Sequence, residues 1–123
     1  MWTDNAQYTT VQSTDSRPLI GVTGGGRAVV GDKLTLTFED DGQEVETVNG
    51  DAIRFDVIVE RATFPVLDND GAQLEDGAEA TLMTSSARFL SKLADVMPVD
   101  GKTVNITIEG TGYDAAYSVA ISE

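Results

Sequence analysis

The amino-acid sequence predicts a mainly β fold with a single α-helix. Apolar and polar residues alternate along several short segments, which is the pattern of half-buried strands. Only one segment has its apolar residues at helical spacing. Because the segments do not run strand–helix–strand, the sheet is expected to be mainly antiparallel. The 123 residues fit one compact domain.

Five or six strands follow from the alternation. The clearest is at Ile53, Phe55, Val57 and Val59, which alternate with Arg54, Asp56, Ile58 and Glu60. Others are predicted at 34–38, 80–84, 104–108 and 117–121, and the segments 19–22 and near Val45 are weaker candidates for one further short strand. The turn signals are Asp40-Asp41-Gly42, Asn49-Gly50 and the loop 62–78 with its Asp-Asn-Asp-Gly run.

The one predicted helix spans residues 86–97. Ser85 or Ser86 can accept a hydrogen bond from an otherwise unpaired amide at its start. Phe89, Leu90, Leu93, Val96 and Met97 fall on one helical face. Pro98 cannot continue the helix and ends it. The helix therefore precedes the last pair of strands and is expected to pack against strands that contain Phe55 and Ile106.

These elements favour a small, antiparallel, OB-like barrel over residues 19–123, with the helix at one end. The alternative is an α+β sheet with one helix packed across it. Residues 1–18 are polar and lack apolar periodicity, which predicts a flexible N-terminal arm.

The composition excludes most enzyme classes. The chain has no cysteine, so thiolate nucleophiles and cysteine-based metal sites are absent. It has no histidine, which is the commonest general base and transition-metal ligand. We therefore expect a protein that is not an enzyme and that needs no cofactor.

The charge indicates an unusual environment. Twenty-one acidic residues face eight basic ones, which gives a net charge of −13. Such a surface repels itself at low ionic strength, but at molar salt the Debye length falls to about 3 Å. A halophilic cell or its virus would need such a surface; the alternative is an acidic mesophilic protein.

The N-terminus lacks a signal peptide and no apolar run approaches membrane-spanning length, so a cytoplasmic protein without membrane contact is expected.

Two motifs have simple explanations. Residues 68–71 and Glu79 match part of a calcium loop, but position five is Ala72 and no helix precedes the loop. Turn formation explains the motif, and we predict no metal site. The glycines at 24–26 lack the Gly-Lys-Ser/Thr ending of a phosphate-binding loop and are interpreted as a turn.

The tip of the last hairpin is the candidate binding surface. Glycines at 110 and 112 allow close approach of a ligand, and Tyr113 beside them is a candidate stacking platform. Arg88 and Lys92 lie at i and i+4 and so share one side of the helix. The alternative is that Tyr113 covers the end of the core and the cations balance acidic neighbours.

A resemblance to a group of known proteins supports the last hairpin as the binding surface. The segment 82–93, followed by Gly-Lys-Thr-Val-Asn-Ile-Thr and Gly-Thr-Gly-Tyr-Asp-Ala-Ala-Tyr-Ser-Val, resembles small phage and archaeal-virus proteins with an OB-like fold. The resemblance covers about the last forty residues. It implies single-stranded DNA binding in replication or recombination, in the host cytoplasm if the protein is viral.

The resulting hypothesis is a sequence-tolerant single-stranded nucleic-acid-binding protein. Bases would stack on Tyr113 and Tyr117, and Lys102, Arg54 and Arg88 would hold phosphates. The alternative is a viral structural or assembly protein, a possible homo-oligomer in which the N-terminal arm packs on a neighbouring subunit.

Overall fold

In the computed structural model, which describes residues 17–23, 27–47 and 50–122, the chain forms one mixed sheet and one helix. The strands are β1 (Leu19–Ile20), β2 (Lys33–Phe38), β3 (Gln43–Thr47), β4 (Gly50–Ala62), β5 (Ala78–Thr84), β6 (Thr103–Gly110) and β7 (Ala116–Ile121). Helix α1 (Ala87–Ala94) lies between β5 and β6, and a 3₁₀ turn (Gly112–Asp114) joins β6 to β7.

The strand order contains a Greek key. Strands β2, β4 and β5 lie side by side in the sheet, each antiparallel to the next. Strand β6 then returns to pair with the other side of β2. Strand β7 then pairs with β6, and the sheet order is β1-β5-β4-β2-β6-β7. In this group of four strands, β2 is the first and lies between the second, β4, and the fourth, β6. This is the arrangement of Greek-key barrels. The sheet is not closed, so the architecture is an open barrel or α+β sheet.

Strands β2 and β3 are two halves of an interrupted strand along one side of β4. Strand β2 pairs with the second half of β4, and β3 pairs with its first half. At the interruption, the Asp40 carboxylate accepts hydrogen bonds from the N–H groups of Gly42 (2.9 Å) and Asp56 (3.2 Å). Burial raises the pKa of the Asp40 carboxyl, and these two N–H groups oppose that rise. The side chain thus replaces a missing strand partner.

The core is formed by the alternating apolar residues that the sequence predicts. The largest fully buried side chains include Phe38, Phe55, Leu34, Leu36 and Ile106. The rings of Phe38 and Phe55 meet edge to face at 5.2 Å between centroids. Such aromatic pairs stabilise a core beyond their buried area.

Helix α1 begins where predicted and ends earlier. Ser86 is the N-cap, and its hydroxyl accepts a hydrogen bond from the N–H of Phe89. The predicted helix extended to residue 97, but the regular helix stops at Ala94. The N–H groups of Val96 and Met97 bond to carbonyls only three residues back, a tighter winding that is common in a last turn. The residue before a proline avoids α-helical backbone, which excludes Met97 from the regular helix.

The predicted mainly β fold, with one helix before the last hairpin, is confirmed. The described residues form seven strands rather than five or six, because β1 and β3 are both formed. Strand β1 runs parallel to β5, which makes the sheet mixed.

Most of the predicted N-terminal arm lies outside the described residues. Its last two residues join the sheet: Arg17 forms ion pairs with Glu39 and Glu79, and the Pro18 carbonyl accepts from the N–H of Thr81. In the described part of the chain, no helix is long and apolar enough to cross a membrane.

Candidate nucleic-acid interface

The β6–β7 connection is a compact loop that depends on one glycine. The pairing of β6 with β7 shifts register between Ile108 and Gly110. After this irregularity the chain turns back, and the Asp114 carbonyl oxygen approaches Gly110. A Cβ built on Gly110 would lie 2.0 Å from that oxygen. No side chain fits there, so the loop requires glycine at position 110.

Arg88 joins this loop to helix α1. Its guanidinium donates hydrogen bonds to the main-chain carbonyl oxygens of Tyr113 (3.0 Å) and Ala115 (2.8 Å). Both acceptors belong to the turn that presents the Tyr113 ring. Arg88 therefore positions the loop, and part of its donor capacity is already used.

A groove of about 480 Å³ lies between α1 and the start of β7; we call it the α1–β7 groove. The helix lines it with Ala87, Arg88, Ser91 and Lys92, and the opposite wall is formed by Glu109, Ala115, Ala116 and Tyr117. Its volume falls in the range of small-molecule sites. Among the described residues, two cationic side chains and one carboxylate line it, so the lining has a net positive charge on a chain of net charge −13.

Tyr113 stands beside this groove with its side chain 99% exposed. Among the described residues, the other large hydrophobic side chains that are exposed are Val29 and Val30. Burial would normally hide an aromatic ring of this size. The expectation that Tyr113 covers the end of the core is therefore wrong, and its ring is available for stacking.

Tyr117 has a different environment from the one expected. Its side chain is only 7% exposed, and its ring packs edge to face against Phe89 at 5.6 Å between centroids. A base cannot reach the face of a ring that is enclosed in this way. Tyr117 instead forms part of the groove wall and fixes β7 to the helix.

Lys102 and Arg54 are not brought to Tyr113. Lys102 precedes β6 and Tyr113 follows it, so the eight residues of the strand, about 26 Å when extended, separate them. Arg54 lies in the middle of β4 and forms an ion pair with Asp56 at 3.5 Å. Of the five residues predicted for the site, the structure brings Tyr113, Arg88 and Tyr117 together.

The outer face of β4 and β5 is acidic. Asp56 and Glu60 on β4 lie on the face opposite the core, and Glu79 on β5 is exposed beside them. Arg17 lies across this face in its ion pairs with Glu39 and Glu79. Arg54 on the same face pairs with Asp56, so these four carboxylates exceed the two arginines and the face keeps a net negative charge. The α1–β7 groove is therefore the more favourable surface for a polyanion.

The Asp68 loop has the geometry of a turn. The Asp68 carboxylate accepts hydrogen bonds from the N–H groups of Asp70 (2.8 Å) and Ala72 (2.9 Å). Gly71 adopts a positive φ of 84° that glycine tolerates best. These contacts occupy the carboxylate with the local backbone, which is typical of an Asx turn.

Sequence reasoning did not place Lys92, Ser91 and Glu109 in the site. The signal for Lys92 was present, because its i+4 spacing from Arg88 places both on one side of the helix. Glu109 gave no signal, since the strand that presents it reaches the helix only through long-range pairing.

No family model, curated protein or solved structure matches this chain.

Proposed function

We propose that this protein binds single-stranded nucleic acid, with little sequence preference, at the α1–β7 groove and the adjoining Tyr113 loop. The observation that carries the proposal is the 99% exposed Tyr113 ring beside a groove that contains Arg88 and Lys92. Aromatic rings next to cations are the usual means of holding unpaired bases and their phosphates. The resemblance of the last forty residues supports a role in replication or recombination.

The roles of the residues differ. Tyr113 offers its ring to a base, and stacking of this kind contributes about 1–3 kcal/mol per base. Lys92 is exposed on the helix side of the groove and is the phosphate contact. Arg88 holds the loop through two carbonyl oxygens and has remaining N–H groups for a second phosphate.

The charge of the chain determines the conditions for binding. At low ionic strength the net charge of −13 opposes approach of a polyanion. Added salt screens that repulsion and also weakens the phosphate contacts of Lys92 and Arg88. Stacking on Tyr113 is not screened. Binding is therefore expected to depend less steeply on salt than for a protein with a basic groove.

A matched pair of lysine variants tests the proposal. Fluorescently labelled oligothymidylate is titrated with the wild-type protein, Lys92→Ala and Lys102→Ala, at KCl concentrations from about 0.05 to 2 M. Each variant removes one exposed cation, but only Lys92 lines the groove. We expect Lys92→Ala to bind more weakly at low salt and to have a shallower salt dependence, whereas Lys102→Ala stays near wild type. Absence of binding by the wild-type protein at every salt concentration overturns the proposal.

A further inference from the structure

A second groove, of about 300 Å³, adjoins the first at Tyr117. It lies between the chain after β1 and the end of β5, and we call it the β1–β5 groove. Tyr117 lines both grooves. The buried Tyr117 side chain is therefore a shared wall, and the two grooves lie on either side of it.

None of the described residues that line the β1–β5 groove is charged, in a chain with 21 acidic residues. Five of its eight lining residues carry a hydroxyl group: Thr23, Thr84, Ser85, Ser86 and Tyr117. A negatively charged nucleic acid in this groove would therefore not face a carboxylate from any of these lining residues. This distinguishes the groove from the acidic outer face of β4 and β5.

Two of these hydroxyl groups accept hydrogen bonds from the backbone. The Thr84 hydroxyl oxygen accepts from the N–H of Ser86 at 3.1 Å, and the Ser86 hydroxyl oxygen accepts from the N–H of Phe89 at 3.3 Å. A hydroxyl that already accepts still has its own proton to donate. The protons of these two groups are therefore available to acceptors on a ligand.

We propose that the β1–β5 groove is a second subsite, which binds the nucleotide next to the one held at Tyr113 and the α1–β7 groove. This inference rests on the proposed function. The chemistry that fits a donor-rich, uncharged groove is a ligand rich in acceptors, such as phosphate oxygens and the carbonyl oxygens of pyrimidines. Tyr117 separates the two subsites and keeps successive nucleotides apart.

The test uses a length series of thymidine monophosphate and oligothymidylates with two, four and eight nucleotides. The variant Thr23→Val/Ser85→Ala removes two hydroxyls of the groove and leaves the N-cap contacts of Thr84 and Ser86 in place. Ser118→Ala is the matched control, because Ser118 is an exposed hydroxyl on β7 that lines neither groove. Thermal melts establish that all three proteins are equally folded.

We expect the double variant to bind the eight-nucleotide strand at least threefold more weakly than wild type, while thymidine monophosphate, which can fill only one subsite, is less affected. Ser118→Ala should match wild type at every length. If the double variant matches wild type at every length while the wild type binds, the second subsite is overturned and the proposed function stands. If the wild type binds no oligonucleotide of any length, the proposed function is overturned, and the subsite with it.

Discussion

Arg88 holds Tyr113 in place through the backbone: its guanidinium donates a hydrogen bond to the Tyr113 carbonyl oxygen at 3.0 Å. The cation is on the helix and the aromatic ring is in the β6–β7 loop, 25 residues later in the chain. A second bond from the same guanidinium nitrogen, to the Ala115 carbonyl oxygen, holds the chain just after the exposed residue. The loop is thereby ordered before any ligand arrives, which reduces the entropy lost on binding.

Arg88→Ala is expected to loosen the loop while the sheet remains intact. Without the guanidinium, the carbonyl oxygens of Tyr113 and Ala115 lose their charged donor, a contact worth about 1.5–3 kcal/mol when desolvated and less at this exposed site. Hydrogen exchange of the amides in residues 111–115 should become faster. Lys92→Ala is the control, since it removes a neighbouring cation that makes no such bond. Equal exchange rates in the two variants would show that Arg88 does not order the loop.

Gly110→Ala is expected to disturb the loop directly. A methyl group would sit 2.0 Å from the Asp114 carbonyl oxygen, far inside contact distance, so the backbone of one segment must move. Thermal denaturation should show a lower midpoint than for the wild type. Gly21→Ala is the matched control, because a Cβ there meets nothing within 4 Å. A midpoint for Gly110→Ala at or above that of the control would contradict the described loop geometry.

Leu93→Ala tests the orientation of α1. Leu93 is fully buried in the core, so truncation should reduce the free energy of unfolding by about 2–5 kcal/mol. Chemical denaturation measures this loss. Ser91→Ala on the exposed side of the same helix should change stability little. A loss below about half a kcal/mol for Leu93→Ala, far under the usual cost of such a cavity, would place the residue outside the core.

The net charge predicts that salt stabilises the fold. Repulsion among the carboxylates destabilises the compact state, and molar KCl screens it. The midpoint of thermal unfolding should therefore rise between about 0.05 M and 2 M KCl. Sucrose at matched osmolality separates screening from general solute effects. A midpoint that stays level or falls with KCl removes the halophilic interpretation.

The fold followed from local patterns in the sequence, since burial imposes period-two alternation on strands and helical spacing on α1. The alternation in β7 also indicates that Tyr117 is buried, because Tyr117 shares a face with Val119 and Ile121. The site was less accessible to prediction. Lys102 and Tyr113 are close in sequence, yet an extended strand separates them. The contact of Arg88 with the Tyr113 loop depends on long-range pairing that no local pattern encodes.

Binding of oligothymidylate by wild type, Tyr113→Ala and Tyr113→Phe is the most direct test of the account. Tyr113 is 99% exposed, so both substitutions should leave the fold intact, and melts confirm that. Loss of a stacked base should weaken binding of Tyr113→Ala by about 1–3 kcal/mol, whereas Tyr113→Phe keeps a ring and should bind within about twofold of wild type. If the alanine variant binds as tightly as wild type, Tyr113 is not a stacking platform and the central claim is contradicted.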